Sequence, residues 1–308
     1  MSPTSDLAER LRVAWERRGE LHDSTRTAYR LFHGYEEGCP GLSVDRLGDA
    51  LVLTHLPEHE GRLSEVVDVL AAEFSPRYVV SKLRRGRGEP KLIQGEEIPS
   101  ELEVREGSLR FLVEPLARRN PGLYLDAFPA RRWLLENSQD RRVLNLFAFT
   151  GSLGIAAAVG GARGVIHVEL QKRQVRRIQR NLALNDLHVD GRDLVREDLY
   201  AYLRRALRKE ASFDGVVLDP PPQVPNRPPG AGQDYGTLAR LAGPLLSPGG
   251  WLLCFFHRRD KPRSEYEQEV LEASPAPLEI LWRGTSGVDF PEANVESKLR
   301  FTAFARRA

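Results

Sequence analysis

The chain has 308 residues, 41% hydrophobic and 29% charged, enough for about two domains at roughly 100–200 residues each and unlike fibrous or wholly disordered proteins. With 45 Lys and Arg against 43 Asp and Glu the net charge is +2, so no global field commits the protein to nucleic acid. Cys39 and Cys254 make neither a disulfide framework nor a four-thiolate zinc site, no apolar run has the length of a bilayer span, and Asp6, Glu9 and Arg10 interrupt any secretion signal, so a cytoplasmic protein with no membrane partner is expected.

Leu7, Leu11, Ala14 and Trp15 are spaced as one helical stripe, and residues 1–30 read as a helical segment. Residues 41–46 and 50–55 flank Leu47, Gly48 and Asp49 as a hairpin. Residues 65–74 read as a helix and 77–82 as a strand. Residues 81–90 are basic and glycine-bearing, an exposed loop, and 101–106 with 108–114 form a second hairpin around Gly107. Residues 31–117 together make a small α+β domain. From residue 118 onward strands alternate with helices: strand 143–147, helix 151–159, strand 164–169, basic helix 171–184, strand 193–196, helix 199–209, strand 213–219, helix 235–246, a turn at 247–250 and strand 251–256. Such alternation implies a parallel sheet covered on both faces. The last strands, 278–282 and 298–305, have no long helix between them and are expected to pair antiparallel at one end of the sheet. The expected class is therefore α/β, a doubly wound and mostly parallel sheet over 118–308, preceded by the α+β domain.

Four strand ends carry chemistry. Residues 143–152 run from a buried strand through a turn holding Gly151 into a helix. In an open parallel sheet ligands bind beyond the carboxyl ends of the strands, and a helix start offers free N–H groups to an anion. The spacing is not G-x-G-x-x-G, and a plain strand-to-helix turn reads equally well. Glu169 ends the next strand, 18 residues after Gly151, where an acid can accept from both ribose hydroxyls. As an ordinary acid it would merely favour the start of the following helix. Asp198, before Leu199, can accept from an adenine amino group, cap a helix, or do both. Asp219-Pro220-Pro221 closes a wholly apolar strand. Prolines there lack N–H donors and hold a stiff extended bend, fixing carbonyls and one carboxylate at the cleft, a set suited to gripping a planar base.

With these residues in place the sequence resembles the class I S-adenosylmethionine-dependent methyltransferases, a Rossmann-like family. More closely it resembles the bacterial large-subunit (23S) ribosomal RNA methyltransferases with a small domain before the catalytic one. The resemblance runs from Tyr29 to the C-terminus and rests on residues 29–34, 40–46, 122–126, 144–151 and 181–185 together with Glu169, Asp198 and 219–221. It implies S-adenosylmethionine as cofactor, with its methionine end around Asn145, Phe147, Thr150 and Gly151, ribose at Glu169 and adenine at Asp198 and Leu199. The target base is then at Asp219, Pro220 and Pro221, with Asp219 also near the cofactor.

Three departures matter. Many relatives carry a further small RNA-binding domain, for which 30 leading residues are too few. Many follow Leu-Asp with Gln-Arg, where this chain has Ala127-Phe128. The cytosine carbon-5 enzymes place a catalytic Cys where His257 aligns, counted from Gly249-Gly250. Cys254, three residues earlier, faces the other side of a strand and reads as a buried structural thiol. His257 and Tyr124 are candidate substrate contacts, as are Arg84 and Arg85 of the small domain, which is expected to contact RNA, although each would usually be a solvated group. The basic helix of Lys172, Arg173, Arg176, Arg177 and Arg180 is ordinarily a solvated face too. Residues 223–234, rich in Pro and Gly, read as a loop over the cleft or a tolerated surface loop. The reading is an S-adenosylmethionine-dependent RNA methyltransferase acting on a base nitrogen of large-subunit rRNA, guanine N7 favoured, without a metal. Its alternatives are cytosine carbon-5 methylation and a non-catalytic RNA-binding relative. The sequence leaves the oligomeric state open.

Overall fold

The computed structural model describes residues 3–84, 88–188, 190–221 and 234–307. Arg85 and residues 223–233 of the proline- and glycine-rich stretch thus lie outside the described residues. The chain divides into two compact units, one of residues 1–126 with 287–293 and one of 127–286 with 294–308.

The first unit opens with α1 (Pro3–Arg17) and continues into β1 (Ala28–Phe32), β2 (Ser43–Leu47), β3 (Ala50–His55), α2 (Leu63–Glu73), β4 (Tyr78–Leu83) and β5 (Lys91–Gln94). The five strands form a sheet in that order, antiparallel except for β3 and β4, which α2 connects in parallel. Strand side chains alternate between faces. Tyr29, Leu31, Val44, Leu51, Leu53 and Val79 join Leu7, Leu11 and Ala14 of α1 and Leu63, Val66 and Leu70 of α2 in one apolar core. The predicted helical stripe is therefore part of this core. A separate hairpin pairs β6 (Leu102–Glu106) with β7 (Leu109–Val113). Residues 287–293 contribute Asp289, whose carboxylate is buried against Arg26 at 3.0 Å.

The second unit holds α3 (Phe128–Asn137), β8 (Arg142–Leu146), α4 (Ser152–Val159), β9 (Gly164–Val168), α5 (Lys172–Leu184), β10 (Leu194–Val195), α6 (Leu199–Arg208), β11 (Phe213–Leu218), α7 (Tyr235–Ala242), β12 (Leu246–Phe256), α8 (Arg263–Ala273), β13 (Leu278–Thr285) and β14 (Arg300–Arg306). Its sheet runs β10-β9-β8-β11-β12-β14-β13. The first five strands are parallel, and β14 runs antiparallel to both its neighbours, β12 and β13, so the last two strands pair antiparallel at one end of the sheet as the sequence predicts. Helices α3, α4 and α5 pack in sequence with one another, as do α6, α7 and α8, so helices lie in two layers around the sheet. The chain fills the sheet outward from β8 to β10, then returns to place β11 on the other side of β8. That reversal is the topological switch point, and it opens a crevice at the carboxyl ends of the strands.

Four elements escaped the sequence reading: β1, β5, α3 and α8. Pro129 reads as a breaker but stands in the first turn of α3, where its missing N–H costs nothing, and buried Arg131 interrupts the apolar stripe. In α8 the inward face carries Glu267, buried because Arg283 and Thr302 satisfy its carboxylate. The predicted turn at 247–250 is instead enclosed within β12. Phe213 pairs with Leu246 and Gly215 with Trp251, so these residues bulge out of the pairing.

Candidate functional site

One row of paired residues crosses the five parallel strands: Val195, Val168, Leu146, Leu218 and Cys254. Phe147, Glu169 and Asp219 each follow that row by one residue, so the register sets them on the same edge of the sheet. Asp198 and His257 follow three residues beyond it.

The turn after β8 is tightly specified. Phe147, Phe149 and Gly151 have φ of 55°, 51° and 89°. Left-handed backbone is natural for glycine but an outlier for a bulky residue, costing on the order of 1–3 kcal/mol where it is imposed. The surroundings impose it. Ala148 N–H donates to the Val168 carbonyl, Gly151 N–H to the Ala148 carbonyl, and buried Asn181 donates its amide to the Thr150 carbonyl at 3.0 Å. Phe149 N–H donates to Glu169 Oε2 at 2.9 Å. Strain of this kind gathers at ligand clamps because surrounding structure is needed to sustain it.

Glu169 is the hub of this edge. Gln171 N–H donates to its Oε1 at 2.8 Å, and its own N–H donates to the Val195 carbonyl, tying β9 to β10. Burial raises its carboxyl above the usual glutamate range, partly offset by the backbone N–H groups of Gln171, Phe149 and Leu170. The bonds from Phe149 and Gln171 occupy one lone-pair site on each oxygen. Asp198 caps α6, accepting from Ala201 N–H at 3.1 Å, and Leu199 is buried beneath it.

Asp219 and His257 are brought together: Nε2 donates to Oδ1 at 2.6 Å, and the side chains are three-quarters (His257) and four-fifths (Asp219) covered. Pro220 is buried and Pro221 exposed. Cys254 is wholly buried in the core cluster with Tyr235 and Tyr266, and burial pushes its thiol far above the usual range. The thiolate is thereby suppressed. Tyr235 anchors α7 behind the site by donating its hydroxyl to the Phe255 carbonyl.

Asn145 goes elsewhere. Its side chain is buried in the layer toward α4, where its amide donates to Nδ1 of His167 at 3.3 Å. Arg84 and Tyr124 lie in the first unit, both exposed. Sequence reasoning assigned no role to Asn181, His167 or Tyr235, and it left Asp219 and His257 unlinked. Two of these had a signal: Asn181 opens the 181–185 motif, and Asp219 and His257 stand at the ends of consecutive predicted strands.

Residues 63–304 match the model of the S-adenosylmethionine-dependent methyltransferase family. The chain belongs to that family. Ribosomal RNA large subunit methyltransferase I of Cronobacter sakazakii is 32% identical over 238 residues, covering 74% of this chain and 60% of that protein. Its namesake in Aeromonas salmonicida is 29% identical over 276 residues, 86% of this chain and 70% of that one. The chain thus spans about three fifths of the length of the first curated relatives it matches. In fold it is similar to the methyltransferase SMU.776, solved in complex with SAH, with a TM-score of 0.90, 22% identity, and coverage of 99% of this chain and 82% of that one.

S-adenosylmethionine is the cofactor of this methyltransferase family. The donor set suits it: an acid held by two backbone N–H groups, with lone pairs remaining for a vicinal diol, beside a strained turn at the switch point. Asp198, also at this edge, adds an acceptor at the mouth of the next strand.

Proposed function

We propose that this methyltransferase transfers the methyl group to a base nitrogen of large-subunit ribosomal RNA, with guanine N7 as the favoured atom. The observation that carries the choice of atom is the pairing of Asp219 with His257 at the strand edge while Cys254 is sealed in the core. When bound, S-adenosylmethionine supplies a methyl carbon that is already electrophilic, so the protein's task is alignment. Glu169 and Asp198 would hold the nucleoside part and the 147–151 turn the amino-acid part. Asp219 and the carbonyls around Pro220 would accept from the amino edge of the base, and the carboxylate would oppose the positive charge that develops on the ring. His257 holds that carboxylate in place and can itself meet the base. A nitrogen lone pair lies in the ring plane and needs no covalent activation. Cytosine carbon-5 does need a thiolate to add to the ring. The curated relatives' names support ribosomal RNA as substrate, and an unpaired or extruded base fits an edge-on grip.

The test is incubation of the protein with methyl-labelled S-adenosylmethionine and large-subunit RNA, followed by nucleoside mass spectrometry. The expected product is 7-methylguanosine, still formed by Cys254→Ala and by Cys39→Ser. Formation of 5-methylcytidine that depends on either cysteine overturns the nitrogen assignment in favour of carbon-5.

A further inference from the structure

We propose that the polar face of the five-stranded sheet in the first unit is a nucleotide subsite, taking one unpaired base and its phosphate from the RNA. It rests on the RNA reading above.

The sheet's alternation creates this face. One side is covered by α1 and α2; the other presents two rows set by strand register, Arg30–Asp45–Val52 and Ser43–Thr54–Lys82. These rows floor a cleft of about 260 Å³ walled by the chain around residues 115–126 and by Phe290. That is below the roughly 300–1,000 Å³ of pockets for larger ligands, and it suits a single nucleotide.

Three features select the ligand. Tyr124 lines the cleft with 46% of its surface exposed, an aromatic face on which any base can stack. Arg30 grips Asp45 through two bonds of 2.7 and 3.1 Å and lies over the Phe290 ring at 4.6 Å, making a rigid edge of donors and acceptors. Finally, Arg30, Lys82, Arg84 and Arg119 outnumber Asp45 and Asp126 in the lining, an excess of positive charge that matches a phosphate. Lys82 donates to the Arg119 carbonyl and so joins floor to wall. The net positive lining favours an anionic nucleotide over a neutral or apolar metabolite.

The experiment is fluorescence anisotropy of a labelled, mixed-sequence single-stranded RNA hexamer with the full chain, alongside calorimetric titration with S-adenosylmethionine and thermal unfolding. Tyr124→Ala is expected to weaken hexamer binding about fivefold to a hundredfold. Tyr124→Phe keeps the ring and stays near wild type. Arg119→Ala weakens binding and flattens its salt dependence by about 0.7 in slope. Cofactor affinity and unfolding temperature do not move. Unchanged hexamer affinity in both Tyr124→Ala and Arg119→Ala, or a wild-type protein that binds no hexamer, overturns the subsite. Methyl transfer to large-subunit RNA by the wild type is scored separately, and its absence overturns the functional reading, not the subsite.

Discussion

His257 Nε2 stands 2.6 Å from Asp219 Oδ1, joining residues 38 positions apart whose strands, β11 and β12, are neighbours in the sheet. A carboxylate that accepts a ring N–H is fixed in rotamer, and its remaining lone pairs are aimed. His257→Ala is expected to lower methyl transfer about tenfold to a hundredfold while S-adenosylmethionine affinity stays near wild type. Asp219→Ala should cost more, since it removes the acceptor itself. Labelled-methyl incorporation and calorimetry measure the two quantities. Full activity in His257→Ala would show the pair to be incidental.

Glu169 links cofactor affinity to pH. Its carboxyl is raised above the ordinary value of 4.5 by burial. Once protonated it no longer accepts charge-assisted hydrogen bonds on both oxygens, so affinity for S-adenosylmethionine should fall on acidification across a window centred above 4.5. Glu169→Gln should bind about tenfold to a hundredfold more weakly at neutral pH and lose that pH dependence. Calorimetric titration at several pH values decides it. Equal affinity in the variant removes Glu169 from the cofactor site.

His167 links stability to pH. Burial in β9 lowers its pKa from 6.5 to about 4. The unfolded chain therefore binds the extra proton between those values, and stability is lost as pH falls through that window. A shift of this size corresponds to about 3 kcal/mol. Glu169, raised instead of lowered, has the opposite sign, losing stability as pH rises through its own window. Urea unfolding of wild type and His167→Leu at pH 7 and near pH 4 should show a smaller acid loss in the variant. Identical losses would rule out His167 as the source.

Gly154 sits where helix α4 crosses the Asn145–His167 pair. A Cβ added there would lie 2.4 Å from His167 Cε1 and 2.9 Å from Asn145 Nδ2. Replacing a mid-helix glycine with alanine ordinarily gains about 1 kcal/mol. Here overpacking of a buried pair should reverse the sign, for a net loss of about 1–3 kcal/mol. Thermal or urea unfolding of Gly154→Ala reads the sign directly, and a stabilised variant would mean that the layer between β8 and α4 yields easily.

Much of this was legible from local signals. Apolar runs such as 143–146 and 213–218 declare strands buried on both faces, and their alternation with helical stripes leaves few topologies besides a doubly wound sheet. Acids directly after such runs, Glu169 and Asp219, mark strand ends because a charge cannot continue a buried strand. The hairpin glycines Gly48 and Gly107 show φ of 64° and 63°, the left-handed backbone that such turns demand. These features depend on neighbours a few residues apart, which is the range over which sequence patterns are informative.

The tertiary structure decided what depends on register and burial. Val195, Val168, Leu146, Leu218 and Cys254 share a row only because five strands are aligned, and that alignment is what sets Glu169 and Asp219 on one edge. Asn145 looked like a strand-end ligand, yet the two-residue period of β8 turns its side chain toward α4 and into partnership with His167. Arg131 and Glu267 belong to residue types that ordinarily face solvent. Both are buried, Glu267 because partners distant in sequence neutralise it. Such partnerships are absent from any short window of sequence, since they come into being only when the chain has closed around them.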